Sequence, residues 1–173
     1  MPNWSEVLNQ ISQIRSQAQD ASRRSVDLVR KNYLASLHTK TRRNVIAYYS
    51  GFLSKTMTFG MEINDEDKNG FMMAVHKLDK NIGLDLILHT PGGSFAATQS
   101  IVDYLQKMLK KDIRAIVPQI AMSAGTMIAC CCKSILMTEH SNLGPIDPQL
   151  RGVPAHGAIQ EFETALKDIA KPS

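Results

Sequence analysis

Two strand-turn-helix units follow one another between Leu86 and Gly125, in LILHTPGGSFAATQSIVDYLQKMLKKDIRAIVPQIAMSAG. In the first, an apolar strand around Leu84, Leu86, Ile87 and Leu88 ends in the turn His89-Thr90-Pro91-Gly92-Gly93. Ser94 then caps a helix whose apolar face is Ile101, Val102, Leu105, Met108 and Leu109. In the second, a strand containing Ile113, Ala115, Ile116 and Val117 ends near Ala121-Met122-Ser123-Ala124-Gly125, and another helix follows. Each unit brings a strand's carboxyl end and a helix's amino end to one edge of a sheet, where open α/β folds build their sites. One turn offers glycine N–H groups and the other a hydroxyl. A polarised hole beside a nucleophile is what acyl transfer requires.

The rest of the chain extends this pattern. Val45 to Tyr49 reads as a strand ending at Ser50-Gly51-Phe52, Lys55 to Ile63 as a loop or short arm, and Ser134 to Thr138 as a strand. Asn142 to Gly157, rich in glycine and proline, reads as loop, and a final helix over 157–170 carries Ile159, Phe162, Leu166 and Ile169. Strands alternating with helices predict an α/β domain with a parallel sheet and right-handed crossovers. The chain stops just after a helix, so a C-terminal truncation is expected.

Residues 3 to 38 read as one long helix. Val7, Ile11, Ile14, Ala18, Ala21, Ser25 and Leu28 follow an alternating four- and three-residue spacing. A helix of that length, on the order of 50 Å, is too long for a small domain to cover fully, so its apolar face reads either as meeting another subunit of a homo-oligomer or as packing only on its own domain. His38 to Arg43 reads as a basic linker. The expected organisation is thus a helical arm and linker over 1–43 and a compact domain over 44–173.

With 173 residues, 43% apolar and 21% charged, the chain has the composition of one globular domain rather than a disordered or collagen-like one. Its net charge of +4 is concentrated in the N-terminal third, but no recognition motif or aromatic interleaving accompanies it, so no nucleic-acid partner is expected. No apolar run is long enough for a membrane span, and no secretory signal is evident. The three cysteines are the adjacent Cys130, Cys131 and Cys132. Neighbours on a helix diverge by about 100°, so they suit neither a disulfide framework nor one metal; they read as small buried side chains in a reducing cytoplasm.

Asp65-Glu66-Asp67-Lys68-Asn69-Gly70 opens like a calcium loop, but His76 stands where the bidentate glutamate belongs. The stretch reads instead as an acid-rich first helical turn, with His76 on the surface or at the core edge. No metal or other cofactor is expected, and no GxxxxGK[ST] loop occurs.

The segments INDEDKNGFMMAV, LDLILHTPGG, MSAGTMIA and HSNLGPIDPQ resemble the serine dehydrogenase proteinase family, over roughly residues 44–170. That family belongs to the Clp protease/crotonase superfamily and is related to signal peptide peptidase A. The resemblance implies a Clp/crotonase-type fold and a serine peptidase acting on peptides or proteins. Ser123 would be its nucleophile, and Gly92, Gly93 and Ala124 would supply oxyanion N–H groups. Taken alone, Ser123 reads as a helix N-cap; the paired glycine turn is what points to a nucleophile.

The general base is open. Clp-type proteases place a histidine after the serine where this chain has Ile146-Asp147-Pro148. Members like signal peptide peptidase use a lysine on a later helix, which points to Lys167 and a Ser-Lys dyad, with His140 and His156 as alternatives. Asp147 would orient a base or line the cleft. A catalytically inactive oligomeric scaffold and a crotonase-type acyl-CoA enzyme are the competing readings. The missing histidine favours the first, and Ser123 argues against the second.

Overall fold

Two helices, α1 (Trp4–Gln17) and α2 (Ser22–Thr41), precede the sheet. The computed structural model describes residues 3–17, 22–54, 60–147, 149–150 and 153–169. The single long helix expected over 3–38 is corrected to this pair. Tyr33 Oη donates to Gln10 Oε1 at 3.1 Å, a contact across 23 residues. In one straight helix those residues would stand about 35 Å apart at 1.5 Å per residue. The expected seam divides accordingly: Val7, Ile11 and Ile14 are half-buried on α1, and Ser25 and Val29 are buried on α2, whereas Leu28 is exposed. Ala18 and Ala21 lie outside the described residues.

The basic linker also proves structural. α2 ends where Arg42 takes φ +56 and its N–H returns to His38 O at 2.7 Å, a left-handed helix stop. Arg43 then reaches into the sheet. Its guanidinium donates to Asp85 Oδ1 at 2.9 Å, to Leu84 O at 3.2 Å and to the backbone and carboxylate of Asp112. These bonds hold the Asp112 carboxyl below its ordinary pKa.

The sheet follows from β1 (Asn44–Tyr49), α3 (Asp65–His76), β2 (Leu84–His89), α4 (Phe95–Met108), β3 (Ile113–Val117), β4 (Ile120–Ala121), α5 (Ala124–Cys130) and β5 (Ser134–Met137). Four strands run parallel in the order β1-β2-β3-β5, with Asn44 opposite Leu84, Leu84 opposite Ile113 and Arg114 opposite Ser134. This is the parallel β-α architecture the alternation predicts. β2 is buried along nearly its whole length, which explains its run of leucines. Leu84, Leu86 and Leu88 join Ile101, Leu105 and Leu109 of the α4 region and Val75 of α3 in the core.

One charge lies within that core. Asp85 is fully buried, and Arg114 meets it through Nε at 3.0 Å and Nη2 at 2.7 Å, beside the Arg43 bond. A buried carboxylate survives only when so paired.

α3 begins as its acidic turn predicts. Asn64 Oδ1 accepts from Glu66 N at 2.8 Å while Asp67 Oδ2 accepts from Asn64 N at 2.8 Å, a reciprocal capping box. Asp67 Oδ2 also accepts from Tyr48 Oη at 3.0 Å, fixing α3 to β1.

Chain leaving the main sheet forms a second, smaller layer. β4 pairs in parallel with β6 (Asn142–Leu143), Thr90 bridges Ala121, and Ile63 bridges Gly93. β7 (Gln149–Leu150) and β8 (Val153–Pro154) form an antiparallel hairpin leading into α6 (Ala155–Ile169). The stretch expected to be all loop after Asn142 therefore contains three two-residue strands. They are too short for a periodic signal, and Pro148 and Gly152 lie outside the described residues. So do residues 55–59 of the expected arm.

The cysteines differ from expectation. Cys130 and Cys131 are exposed and only Cys132 is half-buried, because α5 ends at Cys130 and the chain there turns toward β5 at the edge of the sheet. Burial pushes the Cys132 thiol up to about 12, with its cysteine neighbours adding to the shift.

Candidate active site

Thr90 holds the two turns together. Its N–H donates to Ile120 O at 3.1 Å, and its own carbonyl accepts from Met122 N at 3.0 Å. Both bonds run between the end of β2 and the β4 strand that leads to Ser123. The proline-glycine-glycine turn is thereby pressed directly against the serine turn. A Cβ on Gly92, which has φ +105, would meet Ser123 Cβ at 2.8 Å and Met122 O at 2.9 Å. A Cβ on Gly93, at φ +153, would overlap the backbone of Ile63. Only glycine satisfies both the left-handed backbone and this close approach.

Ser123 is itself unusual. Its φ of +49 and ψ of −114 lie where a non-glycine residue is strained, at a cost on the order of 1–3 kcal/mol. It precedes α5 without capping it, and its Oγ has no hydrogen-bond partner among the described residues. Ser94 provides the contrast: it stands before α4 in extended backbone, and its Oγ accepts from Ala97 N at 3.3 Å. Ser94 does a cap's work and Ser123 does not. The helix-cap reading of Ser123 therefore falls.

The N–H groups divide unequally. Gly92 N–H donates to Thr90 Oγ1 at 3.2 Å, so Gly92 gives the turn its shape while its donor is occupied. This corrects the expectation that both glycines present N–H groups. Gly93 N–H and Ala124 N–H have no acceptor among the described residues, and both residues line the cleft with Ser123. Two free donors beside a free hydroxyl are the groups that stabilising an oxyanion requires.

That cleft has a volume of about 490 Å³ and is walled by Pro91, Phe95, Met127 and Ile146, with Glu62 and Asp147 as its charged lining. A second depression of about 710 Å³ shares Glu62, Gly93 and Ser94, so the groove continues toward Gly60 and Met61. Thr126 ties the far wall in place. Its Oγ1 donates to Ala121 O at 2.7 Å and accepts from Gly144 N at 3.0 Å, setting the segment that carries Ile146 and Asp147. Asp147 Oδ1 is buried without a hydrogen-bond partner.

The three expected bases lie elsewhere. Lys167 and His156 are exposed on α6, which follows directly on β8, and neither lines the cleft. His140 is exposed and pairs only with its neighbour Glu139, Nε2 to Oε1 at 3.2 Å. Among the described residues no lysine, arginine or histidine lines this cleft. Sequence reasoning had also passed over Glu62, Thr90 and Thr126. Threonine is common both in a turn, as Thr90, and in a helix's first turn, as Thr126, and nothing local marks these two as bridges between segments distant in sequence.

A parallel sheet with interleaved helices, whose strand ends set a strained serine against a glycine turn, defines the chain as an α/β protein. The chain belongs to the ClpP-like SDH-type serine proteinase family, whose model matches residues 13–171. It is 40% identical over 108 residues to the uncharacterized protein MJ0137 of Methanocaldococcus jannaschii, covering 62% of this chain and 37% of that protein. It is 33% identical over 100 residues to MJ1495 of the same organism, covering 58% and 34%. The chain thus spans little more than a third of the curated relatives it matches. Among solved structures it is similar to the catalytic domain of the ClpP protease from Plasmodium falciparum, at 18% identity and a TM-score of 0.43 over 61% of this chain and 60% of that one. Among the described residues no helix is long and apolar enough to cross a membrane.

Proposed function

We propose that this chain is a serine peptidase that cleaves peptide bonds through an acyl-enzyme on Ser123. The observation that carries this reading is the strained, uncapped Ser123, whose free hydroxyl lines a cleft with the free N–H groups of Gly93 and Ala124. Ser123 Oγ attacks the carbonyl carbon as a base removes its proton, and the carbonyl π electrons move to oxygen. Gly93 and Ala124 hold that oxyanion. Collapse expels the amine, which takes the proton from the base, and water then releases the acyl group by the same steps.

Lys167 is the proposed base in a Ser-Lys dyad. α6 exposes Ile159, Phe162, Leu166 and Ile169 as one stripe, and a stripe of that size seeks cover. Docking of α6 onto a neighbouring copy or its own domain would desolvate Lys167, one residue from Leu166 at the flank of the stripe, and lower its pKa toward that of a base. His140 and His156 remain the alternatives, and Asp147 an orienting or cleft residue. A homo-oligomer in the cytoplasm is part of the same reading. It is supported by this stripe and by the exposed Trp4 and Leu8 of the helical hairpin; the three free cysteines suit a reducing compartment. That no lysine or histidine lines the cleft among the described residues favours one competing reading, an inactive scaffold for a partner.

Hydrolysis of a fluorogenic protein substrate separates them. Ser123→Ala should fall to background, and Lys167→Ala should lose roughly 10²–10⁴-fold. Equal hydrolysis by Ser123→Ala and the unaltered chain would remove Ser123 from the mechanism.

A further inference from the structure

The cleft's charge runs against that of the chain. The protein carries 20 lysines and arginines and a net charge of +4, yet the cleft beside Ser123 holds two carboxylates, Asp147 and Glu62, and no cationic lining among the described residues. Asp147 is the more telling of the two. It is half-buried in the cleft wall, and its covered Oδ1 has no hydrogen-bond partner, whereas the fully buried carboxylate of Asp85 is bonded to two arginines. A buried carboxylate oxygen left unpaired is costly, and it lowers that cost by gaining a donor. The walls nearby are apolar, with Met127 half-buried and Phe95 and Ile146 exposed.

Apolar walls leading to a carboxylate fit a long aliphatic stem that ends in a cation. We infer that the Ser123 cleft selects peptides bearing a lysine or arginine side chain beside the bond to be cut, with Asp147 receiving the cationic head and Glu62 favouring further positive charge along the groove. This rests on the peptidase reading above and adds its substrate class. Arginine should be preferred over lysine, because its planar fork can supply a buried carboxylate with two bonds. Glu62 lies where the cleft joins the second depression, so it meets a residue farther along the same extended peptide.

The test uses the full chain with Ser123→Ala, so that binding is read without turnover. Fluorescein-labelled decapeptides that differ only in a central Arg, Lys, Leu or Glu are titrated by anisotropy at low and high salt. The Arg and Lys peptides should bind about tenfold tighter than the Leu peptide, and the Glu peptide weaker still. Asp147→Asn should erase most of that preference, and raised salt should narrow it. Glu62 is exposed, so Glu62→Gln keeps the test decisive if Asp147→Asn does not fold; it should reduce the preference in part. Equal binding of all four peptides would overturn the charge selection and leave the peptidase reading standing. An unchanged preference in both variants would overturn the roles of the two carboxylates. No binding of any peptide, together with no fluorophosphonate adduct on the unaltered chain, would overturn the peptidase reading and this inference with it.

Discussion

A Cβ added to Gly92 would lie 2.8 Å from the Cβ of Ser123. The glycine is therefore a spacer that sets how closely the turn after β2 approaches the serine. Gly92→Ala must either push the serine turn away or abandon φ +105. We expect a loss of about 1–3 kcal/mol in urea denaturation. At temperatures where the variant remains folded, acylation of Ser123 should fall about tenfold or more. Unchanged acylation would mean that the spacing is not critical.

The two helix-opening serines should respond in opposite ways. Ser94→Ala removes a cap bond and should cost about 1 kcal/mol. Ser123→Ala removes no hydrogen bond within the described structure and should leave the denaturation midpoint nearly unchanged while abolishing acylation. A large stability loss in Ser123→Ala would restore the capping role.

Much of this was legible before the structure. The leucine run of β2, the apolar face of α4 and the acidic start of α3 each carry a local signal, whether periodicity or capping chemistry, and each appears as expected. The glycine turn is legible because Pro-Gly-Gly ends an apolar run, whereas Ser123 stands out only through the resemblance of the paired HTPGG and MSAGT segments to a known family. What could not be read depends on contacts distant in sequence. Asp85 is a lone acid in an apolar run, and only folding brings Arg43 and Arg114 to it. The fold of α1 back on α2 rests on a seam too weak in apolar residues to declare itself straight or bent. Gly92 and Gly93 look alike in sequence, yet Thr90 Oγ1 occupies one donor and leaves the other free.

The buried pairing is itself testable. Asp85→Asn leaves the guanidinium groups of Arg43 and Arg114 facing a neutral amide in the sheet. Both arginines keep some solvent contact, which limits the cost to about 2–4 kcal/mol. Chemical denaturation should show a lower midpoint with an unchanged slope. A loss under about 0.5 kcal/mol would mean that water serves the arginines equally well.

The cysteines should differ in reactivity. Cys130 is exposed, whereas Cys132 is half-buried with its thiol pushed up to about 12. At pH 7 to 8 a maleimide should modify Cys130 well before Cys132, because the thiolate is the reacting species. The raised pKa also fixes a sign. The folded state favours the neutral thiol, so this contribution to stability is intact below pH 9 and is lost as pH rises toward 12. Cys132→Ala should flatten that alkaline decline. Peptide mapping that found Cys132 modified first would contradict the burial.

The central claim is that Ser123 is a nucleophile served by the Gly93 and Ala124 N–H groups. The most direct measurement is intact-mass and peptide-mapping analysis after treatment with a fluorophosphonate. One adduct per chain is expected, located on Ser123 and absent from Ser123→Ala. An adduct on another serine, or none on the assembled protein, would contradict it.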